Sequence, residues 1–407
     1  MKEEEPVNLN RKTIRDIDVS SKRVLVRVDY NVPLDDSGSI ADDLRIRASL
    51  PTLRNLRERH AKLVVMSHLG RPKGAVNPAM SLKPVAERLS QLLETGVVMA
   101  PDCIGSDVRN LAEAMKPGDI LLLENLRFHP GETKNDRVFA SELASLGELF
   151  VNDAFGTAHR AHASTAGVPE IMGAGVAGFL MEQELQFFGR VLENPTQPFL
   201  AILGGAKISG KIEVLKKLLT IADIVFVGGA MANTFFLTKG LEIGKSLVEK
   251  EAIGIAEDAL AEADRLNKKL LLPSDVVIAP DLAATDERKE VSIREVEPDS
   301  MILDIGSDSI SQLRKACLDA RTIFWNGPMG VFEKPPFDAG TVAAARALVE
   351  ATEHGAVSVV GGGDSASALN KAGCSDKVSH LSTGGGASLE LVEGKDLPGI
   401  MVLEERS

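Results

Sequence analysis

The 407 residues are 44% hydrophobic and 26% charged, which excludes a disordered chain and, at roughly 150 residues per domain, implies two or three folded domains. With 46 basic against 58 acidic side chains the net charge is −12, a poor balance for nucleic acid or an anionic membrane unless positive charge is gathered in one place. Aromatic residues are only 4%, so the core must come from Val, Ile, Leu and Ala, which suits buried parallel strands and Ala-rich helices.

Met1–Pro6 is acidic and lacks the apolar stretch of a secretory signal, and no run approaches the ~18 apolar residues of a membrane span. Short apolar, β-branched runs follow at Val24–Val28, Leu63–Met66, Ile120–Leu123 and Leu149–Val151, and later at Phe199–Leu203, Ile224–Val227, Leu270–Leu272, Met301–Leu303, Thr322–Phe324 and Val357–Val360. Such runs read as central strands of parallel sheets. Lys83–Leu93, Val248–Leu266 and Thr341–Thr352 carry helical spacing. Alternation of this kind implies an α/β fold, and so many strands imply two doubly wound, Rossmann-like parallel-sheet domains, because single cores rarely grow past ~250–300 residues. Gly178–Asn194 has a helical apolar stripe ended by Asn194-Pro195, a candidate helix and hinge between two lobes flanking a cleft. The expected boundaries are 1–177, 178–194 and 195–394. Cys103, Cys317 and Cys374 lie far apart with no C-x-x-C or Cys/His spacing, which argues against a disulfide framework or structural zinc and for a cytoplasmic protein.

Ligands of open parallel sheets bind beyond the carboxyl ends of the strands. In the first half those positions hold Asp29 and Asn31, His68 with Arg71, Arg127, and Arg160, with Arg45 shortly after the first cluster. Taken singly, an arginine there has an ordinary reading as an ion pair, His68 as a hydrogen-bonded structural histidine, and Asp29 and Asn31 as turn residues. Four arginines at one sheet edge repel, at about 4 kcal/mol for a pair ~4 Å apart in an effective dielectric of ~20. A small ligand carrying phosphate and carboxylate relieves that repulsion.

In the second half the same positions are glycine-rich: Gly204-Gly205, Gly228-Gly229, Asn326–Gly330, Gly361–Gly363 and Gly384–Gly386. Glycine lets backbone N–H groups approach phosphate oxygens, and helix N-termini favour anions. Lys207 and Lys211 at a helix start oppose the helix dipole unless a polyphosphate is bound. Asp364 reads either as a helix N-cap or as a Mg²⁺ contact to nucleotide phosphates. Together the halves read as a bisubstrate enzyme for phosphoryl transfer. Gly173–Gly178 matches G-x-G-x-x-G but follows no strand, and Gly244-Lys245-Ser246 lacks the first glycine of a P-loop, so neither is taken as a nucleotide motif.

The segments Arg27–Pro33, Asp43–Arg47, Ser67–Pro72, Glu124–Phe128, Phe155–Thr165, Leu203–Lys211, Trp325–Glu333, Gly361–Ser365 and Ser382–Ser388 resemble, in order, those of the phosphoglycerate kinase family. The resemblance implies reversible transfer between the acyl phosphate of 1,3-bisphosphoglycerate and MgADP, giving 3-phosphoglycerate and MgATP, by a monomer acting on small molecules. It implies that Asp29, Asn31, Arg45, His68, Leu69, Gly70, Arg71, Arg127 and Arg160 bind phosphoglycerate in the first domain. It implies that Lys207, Lys211, Glu333, Gly362, Gly363, Asp364 and Ser365 bind the nucleotide, with Glu333 toward the ribose and Asp364 on the metal. Arg45 and Lys207 are the expected catalytic cations, and the tail 395–407 is expected to dock on the first lobe. Three positions depart from the family pattern. Tyr30 replaces Phe, Gly210 replaces an Asp before the second lysine, and Ile302 replaces a glycine at the adenine site, where a larger side chain narrows the base pocket or shifts nucleotide preference. A scaffold that has lost turnover and a dehydrogenase using Gly173–Gly178 are the competing readings. Intact Arg45, Lys207, Lys211 and Asp364 argue against the scaffold.

Overall fold

The computed structural model describes residues 8–406; residues 1–7, which include the acidic Met1–Pro6, and residue 407 lie outside the described residues. The chain divides into two compact units, Met1–Gln186 with Lys395–Ser407, and Phe187–Gly394.

The first unit is built on Arg23–Val28 (β1), Lys62–Met66 (β2), Val97–Met99 (β3), Ile120–Leu122 (β4), Leu149–Asp153 (β5) and Val176–Ala177 (β6). All six are parallel, in the order β3-β4-β2-β1-β5-β6. The alternation of side chains along β1 explains why it is apolar throughout. Val24, Val26 and Val28 pack with Ile46, Leu50 and Leu53 of helix Leu44–Glu58 and with Val85 and Leu89 of helix Lys83–Leu93. Leu25 points the other way, into a cluster with Leu121, Phe139, Leu143 and Phe150. Both faces are therefore covered, and each such aliphatic side chain contributes about 1.5–3 kcal/mol on burial. The C-terminal tail is part of this unit: Gly175 exchanges backbone hydrogen bonds with Val402 and Glu404, and Leu397, Ile400 and Leu403 are buried.

The glycines of Gly173–Gly178 serve packing. Gly173, at φ 92°, closes helix Val168–Met172, and a Cβ on Gly178 would run into the Asp153 carboxylate.

The second unit holds two sheets. Phe199–Leu203 (β7), Ile224–Val227 (β8), Lys269–Leu271 (β9), Thr322–Asn326 (β13), Val357–Gly361 (β14) and His380–Leu381 (β15) form a parallel sheet in the order β15-β14-β13-β7-β8-β9. Asp275–Ala279 (β10), Lys289–Ser292 (β11) and Met301–Ile305 (β12) form a separate antiparallel sheet, β11-β10-β12. This corrects the reading of Met301–Leu303 as a central parallel strand. An apolar run marks a strand, but not the direction of its partner, and β10 lies beside it instead.

Helix Phe179–Leu192 begins in the first unit and ends in the second. Its start is held by Asp153, whose Oδ1 accepts from the backbone N–H of Leu180 (2.9 Å) and Met181 (3.3 Å), and by Thr52 Oγ1, which accepts from Phe179 N–H (2.8 Å). Asp153 Oδ2 is buried with no hydrogen bond among the described residues. Among the described residues no helix is long and apolar enough to cross a membrane.

Burial pushes the Asp153 carboxyl up to about 7, against the lowering effect of its hydrogen bonds. A folded-state pKa raised above the unfolded value means that the native chain keeps a proton the unfolded chain has already lost. Its contribution is fully present below the unfolded value of 3.8 and is lost as pH rises through about 7. Asp153→Asn should therefore reduce the fall in thermal unfolding midpoint between about pH 5 and about pH 8. A slope equal to that of the wild type would contradict the assignment.

Candidate functional site

Strand order reverses around the first strand of each parallel sheet, with β1 between β2 and β5 and β7 between β8 and β13. Such switch points are where open α/β sheets bind ligands. The candidate residues of each half lie just beyond these strand ends.

In the first unit, charge is concentrated around His68, which follows β2 and is 3% exposed. Its Nδ1 lies 3.1 Å from Arg27 Nη2. A guanidinium can only donate, so Nδ1 accepts and the remaining proton sits on Nε2. Burial, then the charges of Arg27, Arg127, Arg160 and Arg45, holds the His68 pKa well below the usual imidazole range. The ring is neutral, and four guanidinium groups bear on it. Arg45, at the start of helix Leu44–Glu58, donates to Asp29 Oδ2 at 2.7 Å and keeps 38% of its side chain exposed. Arg127 lies on the turn Leu126–Phe128 after β4 and donates from Nη1 to the Gly70 carbonyl at 2.8 Å, while its Nε is buried without a partner among the described residues. Burial, followed by repulsion from Arg160 and Arg27, lowers its pKa to about 10. Arg160 donates from Nε to His159 Nε2 at 3.1 Å.

The loop carrying these groups is fixed from below. Asn31 Oδ1 accepts from Gly70 N–H (2.8 Å), and Asn125 both donates to the Leu69 carbonyl (2.7 Å) and accepts from the Leu69 N–H (3.2 Å). Leu69 is buried, and Arg71 is exposed beside the cluster with no hydrogen bond or ion pair among the described residues.

Two members of the cluster were not singled out from sequence. Arg27 is fully buried, donating from Nε to Ser164 Oγ (2.8 Å) and from Nη1 to the Val28 carbonyl. Glu132, also fully buried, accepts from Ser164 N–H (3.0 Å) and Oγ (2.7 Å) and is the main counter-charge to Arg27. An arginine inside an apolar strand was a visible signal for the first. Nothing in the sequence around Glu132 marked the second.

In the second unit, backbone does the work. Gly204 after β7, Gly229 after β8 and Gly327 after β13 meet so closely that a Cβ on Gly204 would run into the Pro328 carbonyl, and one on Gly327 into that of Gly204. Beside them is a cavity of about 250 Å³. Gly205, Gly229 and Gly330 line one part, Phe236, Leu247, Val276, Ile302 and Val331 form an apolar wall, and the exposed acids Glu333 and Asp364 stand at its edge. Ile302 thus lies on the wall where its size matters. Asp304, 2% exposed, also lines it and accepts from Gly340 N–H at 2.7 Å, and burial pushes its pKa up to about 7.

The two lysines differ. Lys207 is exposed and free of hydrogen bonds and ion pairs among the described residues. Lys211 is folded back, with Nζ 2.7 Å from the Gly204 carbonyl and 3.2 Å from that of Asn326, and burial lowers its pKa to about 8 against the opposing charge of Asp364. Gly362, at φ 89°, precedes helix Gly363–Lys371, which carries Asp364 in its first turn. Ser365 is buried, its Oγ accepting from Gly327 N–H at 2.6 Å, so it fixes the neighbouring turn.

A carboxylate at the edge of a glycine-lined cavity, with a neighbouring lysine, suits a hard divalent cation such as Mg²⁺, which is commonly held by one or two carboxylates plus substrate phosphates.

A family model described as phosphoglycerate kinase matches residues 14–395. Curated relatives of that name from Chlorobaculum tepidum and Chlorobium phaeovibrioides are each 54% identical over 397 residues, covering 98% of this chain and 100% of theirs. The solved phosphoglycerate kinase of Coxiella burnetii superposes with a TM-score of 0.88 at 40% identity, and that of Pyrococcus horikoshii with 0.83 at 33%, each covering 96% of this chain and 98% of the other. The chain belongs to the phosphoglycerate kinase family.

Proposed function

We propose that the chain catalyses reversible phosphoryl transfer between 1,3-bisphosphoglycerate and ADP, yielding 3-phosphoglycerate and ATP, as a cytoplasmic monomer. Family membership supports the activity. One structural observation supports the substrate most strongly: Arg27, Arg45, Arg127 and Arg160 bear on a neutral His68, and the carboxylates acting against them are Asp29 and Glu132. Like charges at such density favour an anionic ligand carrying more than one charged group.

On this reading Asp29, Asn31, Arg45, His68, Leu69, Gly70, Arg71, Arg127 and Arg160 make the phosphoglycerate site. His68 donates to an anionic oxygen from Nε2, because Arg27 occupies Nδ1. Lys207, Lys211, Glu333, Gly362, Gly363 and Asp364 make the nucleotide site, and Ser365 supports it through Gly327. Asp364 holds Mg²⁺, which supplies charge neutralisation on the nucleotide phosphates. No protein nucleophile is required: the phosphoryl group passes in line between two bound oxygens, and the protein contributes positioning and preorganised positive charge. Arg45 and Lys207 fit that role, each retaining exposed N–H groups, Arg45 at the start of helix Leu44–Glu58 and Lys207 in the glycine-rich loop after β7.

The measurement is ATP consumption that depends on added 3-phosphoglycerate. Arg45→Ala and Lys207→Ala should each lower kcat by about 10³, the scale of a lost transition-state cation. A kcat within a few-fold of wild type in either variant would contradict its assignment, and absence of 3-phosphoglycerate-dependent turnover in the wild type would contradict the function.

Because each unit supplies one site, the reacting state must bring the two together, with helix Phe179–Leu192 as the connection. Closure also excludes water from an acyl phosphate prone to hydrolysis. Small-angle scattering should show the mass of a single chain and a smaller radius of gyration with both substrates bound; an unchanged radius would argue against closure.

A further inference from the structure

Outside these sites, the first unit brings His129 against the sequence neighbours Asp102 and Cys103. Asp102 and Cys103 lie in the bend after β3, and His129 follows the turn Leu126–Phe128 that carries Arg127. One ligand atom from each of the three lies within 4.8 Å of those of the other two. His129 Nε2 is 2.7 Å from Asp102 Oδ1, which also accepts from Cys103 N–H at 2.6 Å. The His129 ring is stacked on Phe139, with centroids 5.3 Å apart. Cys103 is fully buried, whereas the side chains of His129 and Asp102 are 28% and 45% exposed. The thiol is thus the inner group, and the other two open to solvent.

We propose that Asp102, Cys103 and His129 form a binding site for a borderline-soft divalent cation of the zinc class, separate from the groups that bind substrate. Thiolate, imidazole and carboxylate are the donor types that zinc takes in tetrahedral sites, and the exposed side leaves the fourth position to water. Calcium and magnesium prefer all-oxygen surroundings and are disfavoured by this set. A His–Asp hydrogen bond alone accounts for two of the three residues. It leaves out the Cys103 sulfur, which is fully buried and lies within 4.8 Å of the ligand atoms of the other two. On binding, Cys103 loses its proton to solvent and forms the sulfur–metal bond, while His129 gives up the Nε2–H···Asp102 hydrogen bond, its ring proton moving to Nδ1 so that Nε2 of the neutral ring binds the ion. One thiol proton is released per ion, and no oxidation state changes. Tetrahedral zinc ligands stand roughly 3.3–3.7 Å apart, given Zn–N and Zn–S distances of about 2.0 and 2.3 Å. The 2.7 Å separation of His129 Nε2 and Asp102 Oδ1 has to open to that spacing, a movement of the two partly exposed side chains. An occupied site would pin the bend after β3 to the turn bearing Arg127.

Co²⁺ is the probe, titrated into the full-length, tag-free protein. The expected result is one bound equivalent with a thiolate-to-metal charge-transfer band and the visible absorption of a tetrahedral ion, both removed by Zn²⁺. Cys103→Ser should abolish the charge-transfer band while 3-phosphoglycerate-dependent turnover persists. His129→Gln and Asp102→Asn should each weaken binding by at least about tenfold, a loss that even outer-shell changes at metal sites can cause. Absence of a thiolate band in the wild type would overturn the proposal, as would a band that survives in Cys103→Ser. Should Cys103→Ser fail to fold, His129→Gln decides: unchanged affinity there overturns the site. Cys317 and Cys374, both free and buried in the second unit, serve as internal controls for non-specific thiolate binding.

Discussion

Repulsion among guanidinium groups shapes the first unit. Arg27 is buried near the end of an apolar strand, where it donates to Ser164 Oγ and the Val28 carbonyl while Glu132, bonded to the same serine, opposes its charge. Its outward N–H then sets the tautomer of His68, and the same positive field keeps that ring uncharged. On the proposed reading, an anionic ligand neutralises the positive potential that Arg45, Arg127 and Arg160 add to that field. Sheet topology puts it there: four strand ends around the switch point each contribute one polar turn.

The second unit solves a related problem by the opposite means. Its strand ends are almost bare, and close approach of Gly204, Gly229 and Gly327 leaves main-chain groups facing the cavity in place of side chains. Lys207 is exposed and Lys211 partly buried, and the acids Glu333 and Asp364 line the cavity, Asp364 close enough to Lys211 to act on its charge. On the proposed reading, a triphosphate needs many short donors and one metal, a small anion with phosphate and carboxylate needs a few forked ones, and the two units suit those two demands.

Strands buried on both faces, such as β1 and β7, were legible because every position is apolar and β-branched residues abound. The edge strands β6 and β15 were not, since two residues carry no periodicity. Strand direction was equally invisible, which is why Met301–Leu303 read as parallel. At the site, residue types at strand ends announced the chemistry, but conformation did not follow from them. Lys211 turns back onto two carbonyls and Ser365 faces inward, and no sequence pattern specifies either rotamer. The Asp102–Cys103–His129 group shows the same limit. Metal-ligand spacing is a local signal, and these residues meet only because β3 and β4 are neighbours.

On the proposed reading, the cationic cluster of the first unit is complete only with an anion in it. The direct measurement is the thermal unfolding midpoint with 3-phosphoglycerate and no nucleotide, compared with glycerate, which lacks the phosphate. Preferential binding to the native state should raise the midpoint with 3-phosphoglycerate well above that with glycerate, and the difference should shrink as salt is added. Equal midpoints with the two ligands, or a difference indifferent to salt, would contradict it.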